Sequence, residues 1–280
     1  MSASCLQMEQ IVRAALLEDI GPGDLTTNAC IPPDRMARGE FLAKQEGVLA
    51  GMNVVRECFR QAAPGCVLEA LKSDGEAFAS GEIIAVVTGP AAQILTAERV
   101  SLNFLQRLCG TATLTRKFVD AVAGTGASIV DTRKTTPGLR ILEKAAVRAG
   151  GGSNHRFALY DGVILKDNHI EAAGGIRPAV EQTRARIPHT VKVEVETTSL
   201  EQVQEALDAC ADIIMLDNMD CETMRRAVEL IGGRALTEAS GGVSLETVAR
   251  IARTGVDLIS VGKLTHSAPA VDISLELKLS

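Results

Sequence analysis

The chain has 280 residues, a formal net charge of -6, and ordinary proportions of hydrophobic (46%) and charged (23%) residues. This length allows one large domain or two smaller ones, each with a buried core. An acidic chain with no Trp, one Tyr and six Phe lacks the basic surface and the aromatic platforms that nucleic-acid-binding proteins use. A core of Ala, Val, Ile and Leu instead favours a parallel sheet covered by helices.

The seven cysteines form no CxxC pair and no Cys/His group with zinc spacing. We interpret them as reduced thiols in a reducing compartment. Residues 1–10 contain no basic region followed by an apolar core, which argues against a signal peptide. No apolar run reaches the length of about 18 residues that a membrane span needs. We therefore expect a cytoplasmic protein that does not interact with membranes.

The first 90 residues predict a small α+β region. A helix is indicated by apolar residues at helical spacing over residues 4–19, and it ends at the Gly-Pro-Gly-Asp sequence of residues 21–24. The pattern then predicts strands at residues 39–42, 47–50, 67–71 and 83–87, with a helix near residues 53–62.

Residues 91–123 predict a long helix with an apolar stripe. Arg99 lies in this stripe beside Glu98. The pattern alone favours an intrahelical or surface ion pair for Arg99.

After Gly124 the chain alternates between short apolar runs and helical stretches, which is typical of βα units and a parallel sheet. The predicted strands are residues 128–130, 162–165, 191–195, 212–216, 235–237 and 258–261. The predicted helices are residues 138–149, 176–186, 200–209, 221–230 and 244–253. Residues 270–279 alternate like a half-buried strand, which we expect to pair with the N-terminal sheet.

Polar residues follow nearly every one of these runs, and this favours a barrel over an open doubly wound sheet. In a barrel the carboxyl ends of all strands meet at one mouth, where barrel enzymes carry their active sites. An open sheet would concentrate the chemistry at one switch point. The residues at or near the exits are Asp131, Arg133, Lys166, Asp167, Glu194, Glu196, Asp217, Asn218, Glu238, Ser240, Gly262 and Lys263. Six strands are fewer than the usual eight.

Residues 131–169 are locally basic, with seven Lys/Arg against four Asp/Glu, and so indicate a site for a small anion. We interpret Arg140, Lys144 and Arg148 as charges on a solvated helix face. His155, beside Arg156 and after three glycines, and His169 are candidates for orienting or acid–base roles.

Two glycine turns, Ser240-Gly241-Gly242 and Gly262-Lys263, favour a phosphate site between the last two βα loops. Neither they nor Gly124-Thr125-Gly126 match a nucleotide-binding P-loop or a dinucleotide fingerprint. Glu194, Glu196 and Asp217 could hold a divalent metal or bind ribose hydroxyls.

Seven runs together resemble one family, quinolinate phosphoribosyltransferase. They are DTRKTTPGLR, KAAVRAGGGSNHR, GVILKDNHI, VKVEVE, IIMLDNM, EASGG and GVDLISVGKLTHSAPAVDISLEL, and EDIGPGDLTT and ERVSLNFLQRLCGTAT extend the similarity to nearly the whole chain. The resemblance implies an N-terminal α+β sandwich domain, residues 1–100, joined by the tail 266–280. It also implies an incomplete, seven-stranded parallel α/β barrel over residues 101–265, and a homodimer or a higher assembly of dimers.

The same resemblance implies roles for individual residues. The quinolinate-binding set is Arg133, Lys134, His155, Arg156 and Lys166, completed by Arg99 from the partner subunit. The set that binds phosphoribosyl pyrophosphate is Glu194, Asp217, Ser240, Gly241, Gly242 and Gly262. The catalytic residues implied are Lys134, Lys166, Glu194 and Asp217. Glu194 and Asp217 are also the expected ligands of Mg²⁺, directly or through water. Because VEVE repeats, Glu196 is an alternative to Glu194.

The expected activity is that of a pentosyltransferase, nicotinate-nucleotide diphosphorylase (carboxylating). It joins quinolinate to phosphoribosyl pyrophosphate with Mg²⁺ and gives nicotinate mononucleotide, pyrophosphate and CO₂ in NAD synthesis. One alternative is a transferase of the same fold with another acceptor. Another is a barrel that binds an anionic metabolite without turnover, which would gain nothing from the acids at the strand exits.

Overall fold

The computed structural model describes residues 3–279, with side chains from residue 5, and the chain forms two compact units. The first unit comprises Met1–Arg116, Thr135–Gly151 and Leu264–Ser280, and the second comprises Lys117–Lys134 and Gly152–Lys263. The predicted domains, residues 1–100 with 266–280 and residues 101–265, divide the chain at other places, and their boundaries stay a prediction.

In chain order the elements are α1 (Ala3–Ile20), α2 (Leu25–Cys30), β1 (Met36–Ala43), β2 (Gly47–Val48), α3 (Met52–Ala62), β3 (Val67–Ala70), β4 (Ala77–Phe78), β5 (Ile83–Pro90), α4 (Ala91–Ala121), β6 (Ser128–Val130), α5 (Arg140–Ala149), β7 (Val163–Leu165), α6 (Asp167–Ala173), α7 (Ile176–Arg184), β8 (Val193–Thr197), α8 (Leu200–Asp208), β9 (Ile213–Asp217), α9 (Cys221–Ile231), β10 (Leu236–Ser240), α10 (Leu245–Ala252), β11 (Leu258–Ser260), α11 (Lys263–His266) and β12 (Ile273–Leu279).

The first unit is built on a four-stranded sheet in the order β12-β1-β5-β3. Strand β12 pairs antiparallel with β1, from Ala37 opposite Leu279 to Ala43 opposite Ile273. The predicted pairing of the tail with the N-terminal sheet is therefore confirmed. The core beneath the sheet includes an edge-to-face pair of rings, Phe41 and Phe59, whose centroids are 6.2 Å apart.

Helix α5 of the first unit differs from the predicted solvated face. Arg148 is exposed, but Lys144 is only 3% exposed, and Arg140 is half-buried with its Nε donating to Thr135 Oγ1 at 2.9 Å. The helix buries Leu142, Glu143 and Lys144 in succession and then Ala146 and Val147, so it is packed on more than one side. The prediction is wrong for Lys144 because charge spacing alone does not reveal how many sides of a helix are covered.

The second unit contains a six-stranded parallel sheet in the order β6-β11-β10-β9-β8-β7. Side chains alternate between the two faces of each strand, and residues paired across parallel strands point the same way. One face carries fully buried apolar residues, which are Ile129, Val193, Val195, Ile214, Leu216, Ala239 and Ile259. The other carries Lys166, Glu194, Glu196, Met215, Asp217, Glu238, Ser240 and Ser260.

Short helices between the strands begin at capping side chains. Ser199 accepts the N–H of Gln202 at the start of α8, and Asp220 accepts that of Thr223 at the start of α9. Such caps satisfy N–H groups that the first helical turn leaves free. Each capped helix therefore begins close to the carboxyl edge of the sheet, shortly after its strand ends.

The resemblance implies seven barrel strands, whereas the sheet has six. On the free edge of β6, Ser153 forms a single parallel bridge with Val130. Gly151, which is separated from Ser153 by Gly152, has a φ of 92° in the left-handed region, so the extended backbone of a strand cannot run through it. Within residues 3–279 no backbone pairing joins β7 to the β6 edge.

The six short strands of the second unit and its long helices are those the pattern predicts, within a few residues. Helices α2, α6 and α11 and strand β4 were not predicted. Helix α6 begins directly after Lys166, where His169 Nδ1 accepts the N–H of Lys166 at 3.1 Å. Among the described residues, no helix is long and apolar enough to cross a membrane.

Candidate active site

The polar face of the six-stranded sheet forms the floor of a cavity of about 330 Å³ in the second unit. Six residues singled out from the sequence line it: Arg133, Lys134, His155, Arg156, Lys166 and Ser240. Ile164, Met215, Glu238 and Ser260 lie beside them. The lining therefore combines cationic, apolar and acidic side chains, which suits a flat anion with an apolar ring.

The segment that carries His155 and Arg156 is tied to the end of β6 by Asp131. The carboxylate of Asp131 is fully buried and accepts the side-chain amide of Asn154 at 2.6 Å and the N–H of His155 at 2.9 Å. Ser153 N–H donates to Ile129 O at 2.8 Å. These bonds hold an irregular, glycine-preceded segment in one shape.

The ring of His155 lies against two buried carboxylates. Its Nε2 is 3.1 Å from Glu194 Oε2 and 3.4 Å from Glu238 Oε2. Burial disfavours the imidazolium, but hydrogen bonds to Glu194 and Glu238 outweigh it and raise the pKa of His155 to about 10. Burial, together with the charge of Glu238, raises the pKa of Glu194.

The environment of the other ring nitrogen of His155 opposes this rise in the pKa of His155. Nδ1 of His155 accepts the N–H of Arg156 at 2.6 Å, so in this arrangement the ring proton is on Nε2 and points at Glu194. A second proton on Nδ1 would face the N–H of Arg156.

The same hydrogen bond bears on metal binding. His155, Glu194 and Glu238 place one ligand atom each within 4.8 Å of one another, as a metal cluster would. A histidine that binds a metal through Nε2 normally carries its proton on Nδ1 and donates it to a nearby acceptor. Here Nδ1 is itself an acceptor, so the donor set does not fit a metal ion at this position.

Arg156 is the cavity residue best suited to bind an anion. Its Nη1 donates to Gly162 O at 3.0 Å, but its buried Nε has no hydrogen-bond partner. Burial and then the nearby charge of Arg133 lower the pKa of Arg156. Two neighbouring cations and a buried donor without an acceptor are stabilised when an anion binds between them.

Lys166, also predicted as a site residue, forms an ion pair with Glu196 across neighbouring strands. Glu196 and Glu194 therefore have different partners. His169 is exposed, and its Nδ1 accepts a backbone N–H at the start of α6. The orienting or acid–base role considered from sequence stays a prediction.

The exits of β9 and β10 form a second group of predicted residues. Ser240 is paired with Asp217 across the sheet, and Asn218 Nδ2 donates to Asp217 Oδ2 at 2.7 Å. Gly241 and Gly242 follow with φ of 92° and 58°, which only glycine adopts readily. Gly262 follows β11 after Val261, whose N–H donates to Val130 O at 2.9 Å.

Glu194 and Asp217 do not lie at the same distance from the carboxyl edge of the sheet. Thr197 is paired with Leu216, so Asp217 is level with the residue after Thr197. Glu194 lies four residues, about 13 Å, further from the carboxyl edge, and Glu196 only two residues, about 7 Å.

Arg99 belongs to the first unit, on α4. It is exposed and makes no ion pair with another described residue, so the ion pair that the pattern favoured is not formed. Burial raises the pKa of Glu98, and the charge of Arg99 partly opposes this.

Two residues of the site were not given a role from the sequence. Glu238 was placed at a strand exit, but its contact with His155 depends on which strands are neighbours. Asn218 was noted only as following a strand, and a left-handed conformation at a non-glycine residue has no clear sequence signal.

Known proteins are similar to this chain in sequence and in fold. The family model described as the quinolinate phosphoribosyl transferase N-terminal domain matches residues 24–109, and the C-terminal domain model matches residues 111–276. A probable nicotinate-nucleotide pyrophosphorylase [carboxylating] of Bacillus subtilis (strain 168) is 46% identical over 98% of this chain and 95% of that protein.

The chloroplastic nicotinate-nucleotide pyrophosphorylase [carboxylating] of Arabidopsis thaliana is 44% identical over 96% of this chain and 82% of that protein. The crystal structure of NadC from Streptococcus pyogenes superposes with a TM-score of 0.96 at 41% identity, covering 100% of this chain and 99% of that one. From its site and from these matches, which span nearly its full length, we conclude that the chain belongs to the quinolinate phosphoribosyltransferase family.

Proposed function

We propose that this chain transfers the phosphoribosyl group of phosphoribosyl pyrophosphate to quinolinate with loss of CO₂. The products are nicotinate mononucleotide and pyrophosphate, for NAD synthesis. The observation that carries the proposal is the cationic cavity in which Arg156, with its unpartnered Nε, lies near Arg133. Family membership supplies the identity of the substrates.

Quinolinate carries two carboxylates on adjacent ring carbons, and the cavity offers matching groups. Arg133 and Arg156 provide guanidinium forks, which bind carboxylates through two parallel hydrogen bonds. Lys134 and Lys166 add point charges, and Ile164 and Met215 offer apolar surface for the ring. His155, held by Asp131 and Glu194, fixes the position of this set.

Transfer at the ribose carbon builds up positive charge on the sugar as pyrophosphate leaves. Carboxylates near that carbon stabilise this charge. Asp217 suits this role because it stands at the carboxyl end of β9. Glu196, bound to Lys166 near that edge, fits it by register better than Glu194, whose Oε2 contacts His155. Ser240, Gly241, Gly242 and Gly262 would bind the 5′-phosphate through backbone N–H groups.

Mg²⁺ remains part of the proposal. In protein sites it keeps several waters and takes one or two carboxylates together with substrate phosphates. Asp217 fits such a site, whereas Glu194, engaged with His155, would have to act indirectly. When bound, Mg²⁺ would neutralise the charge of the pyrophosphate leaving group.

Decarboxylation needs no protein nucleophile. Once ribose is attached, the positive charge of the ring nitrogen stabilises the electron pair that the departing CO₂ leaves on the adjacent carbon. A proton from water then forms the C–H bond of the product. Orientation and charge therefore account for the roles of the protein side chains.

Further parts of the proposal concern assembly and location. Arg99, exposed and without an ion-pair partner in the described part of the chain, is free to enter a neighbouring subunit's site in a homodimer or a larger assembly. The proposed location is the cytoplasm.

The decisive test is a product assay with quinolinate labelled at the leaving carboxylate. With phosphoribosyl pyrophosphate and Mg²⁺, we expect CO₂ and pyrophosphate in equal amounts. Consumption of nicotinic acid without CO₂ from quinolinate would indicate the same fold with another acceptor. Tight quinolinate binding in calorimetry with no product would indicate a binding protein without turnover.

Assembly is tested by mixing variants. Arg99→Ala and Lys166→Ala chains, each inactive alone, should regain partial activity in verified heterodimers, because one of the two sites then contains both side chains. No recovery in such heterodimers would contradict an Arg99 shared across the interface. Arg107→Ala, on the same helix, serves as the control.

A further inference from the structure

Asn218 directly follows β9 in an unusual backbone conformation. Its φ is 54°, and among the described residues only Cys210, at 59°, shares a positive φ without being glycine. The left-handed region costs a non-glycine residue stability, although asparagine tolerates it better than most residue types. The simplest explanation is that asparagine occupies this turn because it tolerates a positive φ. This accounts for the backbone conformation but not for the side-chain contacts.

The contacts of Asn218 go beyond a turn. Its N–H donates to Ser240 O at 2.9 Å, which extends the pairing of β9 and β10 by one step. Its Nδ2 donates to Asp217 Oδ2 at 2.7 Å. A Cβ atom on Gly241 would lie 2.1 Å from Asn218 Oδ1, so the side chain lies directly against the glycine turn.

A single side chain therefore touches the acid at one strand exit and the glycine turn at the next. Asp217 gains one charge-assisted hydrogen bond and loses the freedom to rotate. Gly241 leaves room for the amide oxygen, and no other residue type would at this distance. The left-handed φ of Asn218 is the conformation in which its backbone and side chain make these contacts together.

We propose that Asn218 is a positioning residue that fixes the Asp217 carboxylate relative to the Gly241-Gly242 turn, so that both engage one molecule of phosphoribosyl pyrophosphate. This inference rests on the proposed function, which assigns ribose or metal binding to Asp217 and the 5′-phosphate to the turn. Residues that bind quinolinate are not part of it.

The experiment separates the backbone from the side chain. Asn218→Gly allows the left-handed φ without strain but removes the side-chain amide. Asn218→Asp keeps the size of the side chain and places a second carboxylate beside Asp217. With Mg²⁺ and saturating quinolinate, we expect the KM for phosphoribosyl pyrophosphate to rise about tenfold in Asn218→Gly, as loss of a hydrogen bond to a charged group predicts. The rise should be larger in Asn218→Asp.

Quinolinate affinity, measured by calorimetry without the second substrate, should stay at the wild-type value in both variants. Cys210→Gly is the matched control, because it relieves the other left-handed residue, which lies before β9 and so at the opposite end of that strand, and it should leave both constants unchanged. A wild-type KM in Asn218→Gly would overturn the proposal. So would an equal loss of quinolinate binding with a lowered Tm, which indicates a general structural role.

Contact with the turn is tested by a double-mutant cycle. Gly241→Ala should raise the KM strongly, through its clash with Asn218 and its left-handed φ. In the Asn218→Gly background the clash is gone, so the double variant should bind better than the product of the two single effects predicts. Additive effects would overturn the contact. Failure of the wild-type chain itself to form product would instead refute the proposed function.

Discussion

On β8, Val193 and Val195 point to one face of the six-stranded sheet, and Glu194 and Glu196 point to the other. The same division continues across the sheet. One face buries Ile214, Leu216 and Ala239 completely, and the opposite face presents Met215, Asp217 and Glu238. Alternation along single strands thus separates the residues that stabilise the fold from those that form the site, at a spacing of one residue.

Substitutions at adjacent residues of one strand should therefore differ in their main effect, which is on stability for one residue and on activity for the next. The apolar face contributes burial, which is lost when side-chain volume is lost. The polar face holds like charges and unpartnered polar atoms, which favour ligand binding and oppose folding.

The largest effect is expected on the polar side, at Arg156→Met. The variant keeps the apolar stem but removes the guanidinium, so kcat/KM for quinolinate should fall at least about 100-fold, as for loss of one partner of a desolvated charge pair. The Tm should change little, because loss of the hydrogen bond to Gly162 O is offset by removal of a buried donor without an acceptor. Arg250→Met, an exposed cation on α10, is the control. Parallel losses of Tm and activity would break the separation of the two faces.

The apolar face should give the converse result. Ile214→Ala should lower the free energy of unfolding by about 2–5 kcal/mol, measured in urea, because a fully buried side chain leaves a cavity. Quinolinate affinity should be unchanged at temperatures where the variant is folded. Leu236→Ala, at a 38% exposed position on the neighbouring strand, should cost less. A loss of affinity in folded Ile214→Ala would show that the faces are coupled.

A smaller effect is expected at Glu238→Gln, where Oε2 of the buried carboxylate lies 3.4 Å from His155 Nε2 and Oε1 has no hydrogen-bond partner. Removing this charge should raise the free energy of unfolding at neutral pH by about 1 kcal/mol. It should also lower the pKa of His155 from about 10, because the imidazolium loses an attractive neighbour. The pKa of Glu194 should fall as well, because Glu194 loses a repulsive neighbour. NMR titration of the His155 ring measures the first shift, and an unchanged value would contradict a charged Glu238.

The last expected effect is a pH dependence of stability. A folded-state pKa of His155 near 10, against an ordinary 6.5, means that its contribution to stability is complete below pH 6.5 and is lost as the pH rises towards 10. Unfolding in urea at pH 6, 8 and 10 measures this loss, with His155→Gln as the control. No loss would show that the Arg156 N–H at Nδ1 keeps the ring neutral.

Sequence periodicity predicted the strands because each short run has one face of Val, Ile or Ala, a pattern that needs no knowledge of neighbours. Convergence of strand exits predicted only that Arg133 and Lys166 lie near each other. The family resemblance, and not periodicity, implied that Lys134, His155 and Arg156 join them. The different partners of Glu194 and Glu196 follow from register and strand order, which a repeat such as VEVE does not specify. The burial of Lys144 and the conformation of Asn218 depend on packing by distant segments.

The pairing of β12 with β1 has a consequence for synthesis on the ribosome. Every segment of the second unit, up to Lys263, emerges before Ile273–Leu279. The N-terminal strand β1 must wait for a partner more than 200 residues later in the chain, as Arg38 opposite Lys278 illustrates. Because such distant pairings form slowly and leave a strand edge open meanwhile, the part of the chain made first is the part completed last.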